Sequence, residues 1–186
     1  MASFIAIYDA CVLHPAPLCD LLMRLAMAGL VRARWSDRIL DEVVSSIHRR
    51  KPDILLEKLE RRRRNMANAV PDCLVLHFEH LEVGLTLPDP DDRHVLAAAI
   101  RCGAQAIVTA NLADFPDHVL APYGIEAIHP DDFVLGLIDL SEGIALRVLL
   151  DQVGALTKPP RTIEDVLQAL EKNGMIRTAA RFRSLL

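Results

Sequence analysis

Three aspartates far apart in the 186-residue chain, Asp9, Asp92 and Asp114, stand where acidic side chains can do chemistry. Asp9 closes the apolar run Phe4-Ile5-Ala6-Ile7-Tyr8, Asp92 lies in Asp89-Pro90-Asp91-Asp92-Arg93, and Asp114 ends Thr109-Ala110-Asn111-Leu112-Ala113-Asp114. Carboxylates and an amide gathered on one rim suit a hard divalent cation, Mg²⁺ or Mn²⁺, which takes few carboxylates and keeps water. Other chemistries find less support. His77 and His80 form one isolated H-x-x-H, and the remaining histidines show no ligand spacing. No glycine-rich phosphate loop follows a strand, and no Ser or Cys has a nucleophile-elbow context. Cys11 reads as a small buried residue.

Whether these side chains meet depends on the elements that carry them. Phe4–Tyr8 reads as a strand buried on both faces, and Ala16–Ala28 as a helix ended by Gly29. Ala33–Trp35 is a brief strand, with Ser36 as N-cap of a helix to about Arg50. A charged helix follows to about Ala69, then a strand at Cys73–His77 and a helix from Asp89 to Cys102. Strands at Ala104–Thr109 and Glu126–Ile128 and a helix from Pro130 complete the pattern. Strands alternating with helices across short turns predict a parallel α/β sheet.

Function gathers at the carboxyl ends of such strands, and a helix preceding a parallel strand begins at that same edge. Asp9, Asp92 and Asp114 are therefore expected on one rim. Val95, Leu96 and Ala99 lie three, four and seven residues after Asp92, so Asp92 projects from the buried face and Asp91 does not. Capping and the helix dipole account for Asp89 and Asp91. In the helix from Ser36, Asp41 and Glu42 flank the apolar stripe about equally, and periodicity does not choose between them.

Hydrophobic residues at 52% and charged residues at 25% predict a sizeable core and exclude wholesale disorder. Aromatics are only 4%, so that core must be mainly aliphatic. The net charge of −4 excludes a globally basic nucleic-acid binder. Yet Arg49–Arg64 holds eight Lys and Arg against three Asp and Glu, a local +5 that leaves −9 elsewhere. A basic segment on an acidic body suits a polyanion contact. A solvated helix is the plainer reading, with Glu57 and Glu60 as partners four residues before Arg61 and Arg64. Four irregularly spaced cysteines suit free thiols in a reducing cytosol. No apolar stretch is long enough to span a bilayer, and the N-terminal run lacks the flanks of a signal peptide, so a cytoplasmic protein without membrane contact is expected.

Taken together, Ile5-Ala6-Ile7-Tyr8-Asp9, Glu42, Asp89-Pro90-Asp91-Asp92-Arg93 and Thr109–Phe115 resemble a PIN domain. The likeness is greatest to the VapC-type ribonuclease toxins of bacterial toxin–antitoxin pairs, and it covers about residues 4–133. It implies a three-layer α/β fold, with a central parallel sheet flanked by helices, as a nuclease domain over 1–140. A helical C-terminal extension over 141–186 follows, after the Thr157–Arg161 linker as helices at Thr162–Asn173 and Met175–Leu186. The implied chemistry is metal-dependent hydrolysis of RNA phosphodiesters by Asp9, Glu42, Asp92 and Asp114. Mg²⁺ or Mn²⁺ would be held by Asp9, Asp92 and Asp114, with Glu42 as ligand or water-orienting base. The preference for Glu42 over Asp41 comes from the resemblance alone.

By the same resemblance Asn111 is a neighbouring polar contact, and Arg61, Arg62, Arg63 and Arg64 are candidates to grip flanking RNA phosphates. The implied partners are an RNA substrate and a small antitoxin protein, and a homodimer is also expected. Ala10 and Cys11 follow Asp9 where many members have Ser or Thr, so the usual hydroxyl contact is not expected from that position. Antitoxin docking, dimer packing and a simple helical cap are all open roles for the tail. A PIN nuclease of RNA processing that is not a toxin is an alternative. A degenerate PIN module used in protein binding is another, but it would be expected to lose acids, and all four acidic positions are filled.

Overall fold

Strands covered on both faces need apolar residues throughout, and two of the four strands have them. The computed structural model describes residues 4–186. Its strands are β1 (Ile5–Tyr8), β2 (Arg32–Arg34), β3 (Ala106–Val108) and β4 (Glu126–Ile128), all parallel, in the order β2-β1-β3-β4. The central pair, β1 and β3, is almost wholly buried. The order puts a topological switch between them, because the chain leaves β1 to one side and returns through β3 on the other.

The helices are α1 (Ala10–Leu13), α2 (Ala16–Met27), α3 (Asp37–Arg50), α4 (Leu56–Ala69), α5 (Arg93–Cys102), α6 (Asp117–Leu120), α7 (Pro130–Leu140), α8 (Glu142–Ala155), α9 (Ile163–Glu171) and α10 (Ile176–Leu185). Local chemistry sets several ends. The Ser36 side chain accepts from Ile39 N–H at 3.2 Å and starts α3. Gly103 closes α5 at φ 64°, where a side chain would be strained. Among the described residues no helix is long and apolar enough to cross a membrane.

The four-stranded parallel sheet flanked by helices agrees with the expected fold class. One expected strand does not form. Cys73–His77 makes a single parallel bridge, Leu74 with Trp35, through Trp35 N–Cys73 O and Val75 N–Trp35 O bonds of 2.9 Å. Leu74 and Leu76 stay 36% and 55% exposed, so alternate side chains have no layer to cover them and pairing stops after one step. The core is aliphatic as expected, apart from an aromatic cluster in which Tyr8 stacks on Trp35 and meets Phe133 edge-on.

Residues 141–186 pack on the body rather than beside it. Helix α8 lies against α2, α10 lies against α7, and Leu149, Leu167 and Phe182 join the buried cluster that contains β1. Asp131 in α7 ties this packing together. Its buried carboxylate accepts from the backbone N–H groups of Arg177 (2.9 Å) and Thr178 (2.7 Å) at the start of α10. Asp131→Ala would leave the Thr178 N–H buried without a partner and free the Arg177 N–H, and is expected to cost about 1–3 kcal/mol. A denaturant titration of both proteins checks this, and an unchanged midpoint would refute it.

Candidate active site

The switch point places Asp9 and Thr109 side by side, because each directly follows its strand in the paired register Tyr8 with Val108. The Asp9 carboxylate is held by three donors: Ala10 N–H at 2.6 Å, Thr109 Oγ1 at 2.8 Å and Cys11 Sγ at 3.0 Å. Thr109 Oγ1 also accepts from Asn111 N–H at 3.0 Å, which fixes the turn after β3. The hydroxyl missing after Asp9 is thus supplied from across the sheet. Cys11 is a hydrogen-bonding neighbour of the carboxylate and not merely a space-filler. Burial and the adjacent Asp9 push its thiol up to about 12, so it stays protonated and donates. Thr109→Val keeps the shape but removes a buried donor from Asp9. It is expected to destabilise the fold by about 1–3 kcal/mol, read as a lower denaturation midpoint.

Asp9, Glu42, Asp92 and Asn111 line one cleft of about 620 Å³. Asp92 sits at the start of α5, and its side chain makes no capping hydrogen bond to the described residues. Its pKa is raised to about 7, first by burial and then by the charges of Asp9, Asp89, Asp114 and Glu42. Asp114 does not line the cleft wall, but it lies near enough to contribute to that repulsion. The four acids therefore share one electrostatic neighbourhood.

Both acids of α3 line the cleft, and tertiary packing gives them different partners. Asp41 is 62% exposed and ion-paired with Arg63. Glu42 is 40% exposed, and its Oε1 lies 2.7 Å from Nε2 of fully buried His94. That approach is off the hydrogen-bonding direction, and neither ring nitrogen of His94 has a hydrogen-bond partner.

The basic run takes up a different place. None of Arg61–Arg64 lines the cleft. Arg62 donates to the Leu13 carbonyl at 2.7 Å, and Arg63 binds Asp37 at 2.8 Å as well as Asp41. Arg61 and Arg64 are exposed, and among the described residues neither pairs with Glu57 or Glu60. The run wraps around α4, so its members face a carbonyl, two aspartates and solvent in turn. The cations on the cleft wall are Arg38, Arg49 and Arg50 of α3. Their signal was present in the sequence: Arg38, Glu42, Ser45 and Arg49 recur at helical spacing on one face. His94, a lone polar residue in the apolar run of α5, was the other overlooked sign.

Among the described residues, no three His, Cys, Asp or Glu side chains already close around one point as a finished metal site. The donor set nevertheless fits a hard cation. It offers carboxylate oxygens, and burial together with the repulsion of its neighbours lifts Asp92 to a pKa about 7, a cost that a divalent ion would relieve.

The family described as "PIN domain" matches residues 6–113, and the family described as "VapC50 C-terminal domain" matches 130–184. A curated protein of Mycobacterium tuberculosis, named "Putative ribonuclease VapC50", is 53% identical over 79 residues, which are 42% of this chain. The match spans about half of that relative, 47% of its length. No solved structure matches the chain.

Proposed function

Because the chain belongs to the PIN-domain family, we propose that it is a metal-dependent endoribonuclease that hydrolyses RNA phosphodiester bonds, and that it is the toxin of a toxin–antitoxin pair. The observation that carries this reading is the cluster of Asp9, Glu42, Asp92 and Asp114 around a protonation-prone Asp92 at the carboxyl edge of a parallel sheet. Support for the toxin assignment comes from the ribonuclease name of the Mycobacterium tuberculosis relative and from the matching C-terminal domain. The partners that go with it are RNA and a small antitoxin protein, in the cytoplasm.

In this mechanism Asp9, Asp92 and Asp114 would hold Mg²⁺ or Mn²⁺, which would supply a water of lowered pKa and charge to offset the phosphorane-like transition state, and Glu42 would orient that water. The rest falls to the chain itself. Thr109 and Cys11 fix the orientation of the Asp9 carboxylate on the cleft wall. His94 stands behind Glu42 as a wall that limits its rotation. Arg49 and Arg50 draw a phosphate backbone toward an otherwise repulsive acidic rim.

Total RNA incubated with the protein and Mn²⁺, then with EDTA, and finally with Asp92→Asn in place of wild type, tests the proposal once the new ends are mapped. Discrete new ends in the first reaction only are the expected result. Cleavage that survives EDTA and the substitution would refute it. Growth arrest on expression, relieved by a small neighbouring gene product, separates a toxin from a processing nuclease.

A further inference from the structure

We propose, resting on the reading that the chain cleaves RNA, that a basic groove leading from the cleft onto the C-terminal extension holds the single strand on one side of the scissile bond. A cavity of about 540 Å³ adjoins the cleft and shares His14, Pro15 and Arg50 with it. Its charged wall is Arg50, Lys51 and Arg62, and no carboxylate lines it. Arg50, Lys51 and Arg62 form no ion pair with any described residue, and Arg62 donates to the Leu13 carbonyl. His14 registers the same field: burial, then Arg50, Arg62 and Lys51, hold its imidazole below the ordinary value.

Asn173, between α9 and α10, forms part of the far wall of this cavity. Beyond Pro17 the surface opens into a third cavity of about 750 Å³, where Lys158, Arg161 and Lys172 outnumber Asp165, and Asp20 is taken up by its pair with Arg24. Lys158 and Lys172 are likewise without an ion pair among the described residues. Cations in excess of the nearby carboxylates repel one another, and a polyanion laid along them removes that cost. RNA fits better than an acidic peptide. A strand whose scissile phosphate sits by Asp9 and Asp92 has a continuous path over the shared His14–Arg50 wall, and Pro15, Pro17 and Ile54 offer apolar faces to sugars and bases. The extension is then part of the substrate surface.

The test uses the full chain carrying Asp92→Asn, so that bound RNA stays intact, and a fluorescein-labelled oligouridylate long enough to span all three cavities. Anisotropy titrations between about 50 and 200 mM salt give the log–log slope of affinity against salt. Arg50→Gln with Lys51→Gln should reduce that slope by about 1.4, two contacts at about 0.7 each. Lys158→Gln with Lys172→Gln should do the same independently. Arg101→Gln with Arg147→Gln removes equal charge from exposed positions outside these cavities and should leave the slope alone. Thermal melts check that each variant folds, and a reduced slope in either folded pair supports the groove.

Unchanged slopes in both groove pairs, with wild type still cleaving total RNA in Mn²⁺, would overturn the groove and leave the nuclease standing. A chain that neither binds oligouridylate nor cleaves RNA would overturn both. Tighter binding of polyglutamate than of oligouridylate at equal charge would assign the groove to an acidic protein segment instead.

Discussion

Asp92→Asn is expected to lose RNA cleavage by a factor on the order of 10²–10³ or more, while the metal-free protein becomes more stable at neutral pH. Among the described residues the Asp92 side chain makes no capping hydrogen bond that the amide would break. Burial and four neighbouring acids raise its pKa from an ordinary 3.8 to about 7. The native chain therefore binds one more proton than the unfolded chain between about pH 4 and 7. Its stability falls as pH rises through that window and is flat above it. Asparagine has no such dependence. In EDTA the variant and wild type should be equally stable at about pH 4, with the variant ahead by roughly 1–2 kcal/mol above pH 7, after discounting for the partial exposure of Asp92.

Paired pH series of denaturant titrations measure this directly. A variant less stable than wild type at pH 8 would mean that Asp92 is a structural cap. Asp9→Asn should also lose activity, but at a cost in stability. An amide cannot accept from Ala10, Thr109 and Cys11 on both of its ends. Glu42→Gln should lower cleavage and Asp41→Asn should not, since Asp41 faces Arg63.

Millimolar Mn²⁺ should raise the melting temperature of wild type by several degrees. The unfolded chain cannot gather Asp9, Asp92 and Asp114, so only the native state binds. The stabilisation is RT ln(1 + [L]/Kd), about 2.7 kcal/mol at a hundredfold excess over Kd, and shifts of a few degrees follow in a domain of this size. Mn²⁺ should exceed Mg²⁺ at equal concentration, because Mg²⁺ gives up its water reluctantly. Asp92→Asn should erase most of the shift. Calorimetric scans of both proteins with and without the ion decide the point. If wild type shows no shift, or the variant shifts equally, the acidic rim holds no catalytic ion.

Much of the scaffold was legible in the residues because its determinants are local. Apolar runs mark β1 and β3, Ser36 marks the start of α3, and Gly103 marks the end of α5. The position of Asp9 at a strand end and the inward direction of Asp92 follow from periods of two and 3.6 residues. The run at Cys73–His77 misled for the same reason: a short apolar pattern specifies an extended conformation but not a partner, and only Trp35 is there to pair with.

What faces a given side chain is set by contacts between distant segments, and there the tertiary structure alone decided. Glu42 and Asp41 are equivalent on a helical wheel until α5 brings His94 to one and α4 brings Arg63 to the other. Four consecutive arginines look like one patch until the turn of α4 sends Arg62 to the Leu13 carbonyl and Arg63 to two aspartates. The hydroxyl on Asp9 comes from Thr109, a hundred residues away. A sequence period states the angle at which a side chain leaves its element. The charge, donor or solvent it meets there depends on how the elements dock, which no local pattern encodes.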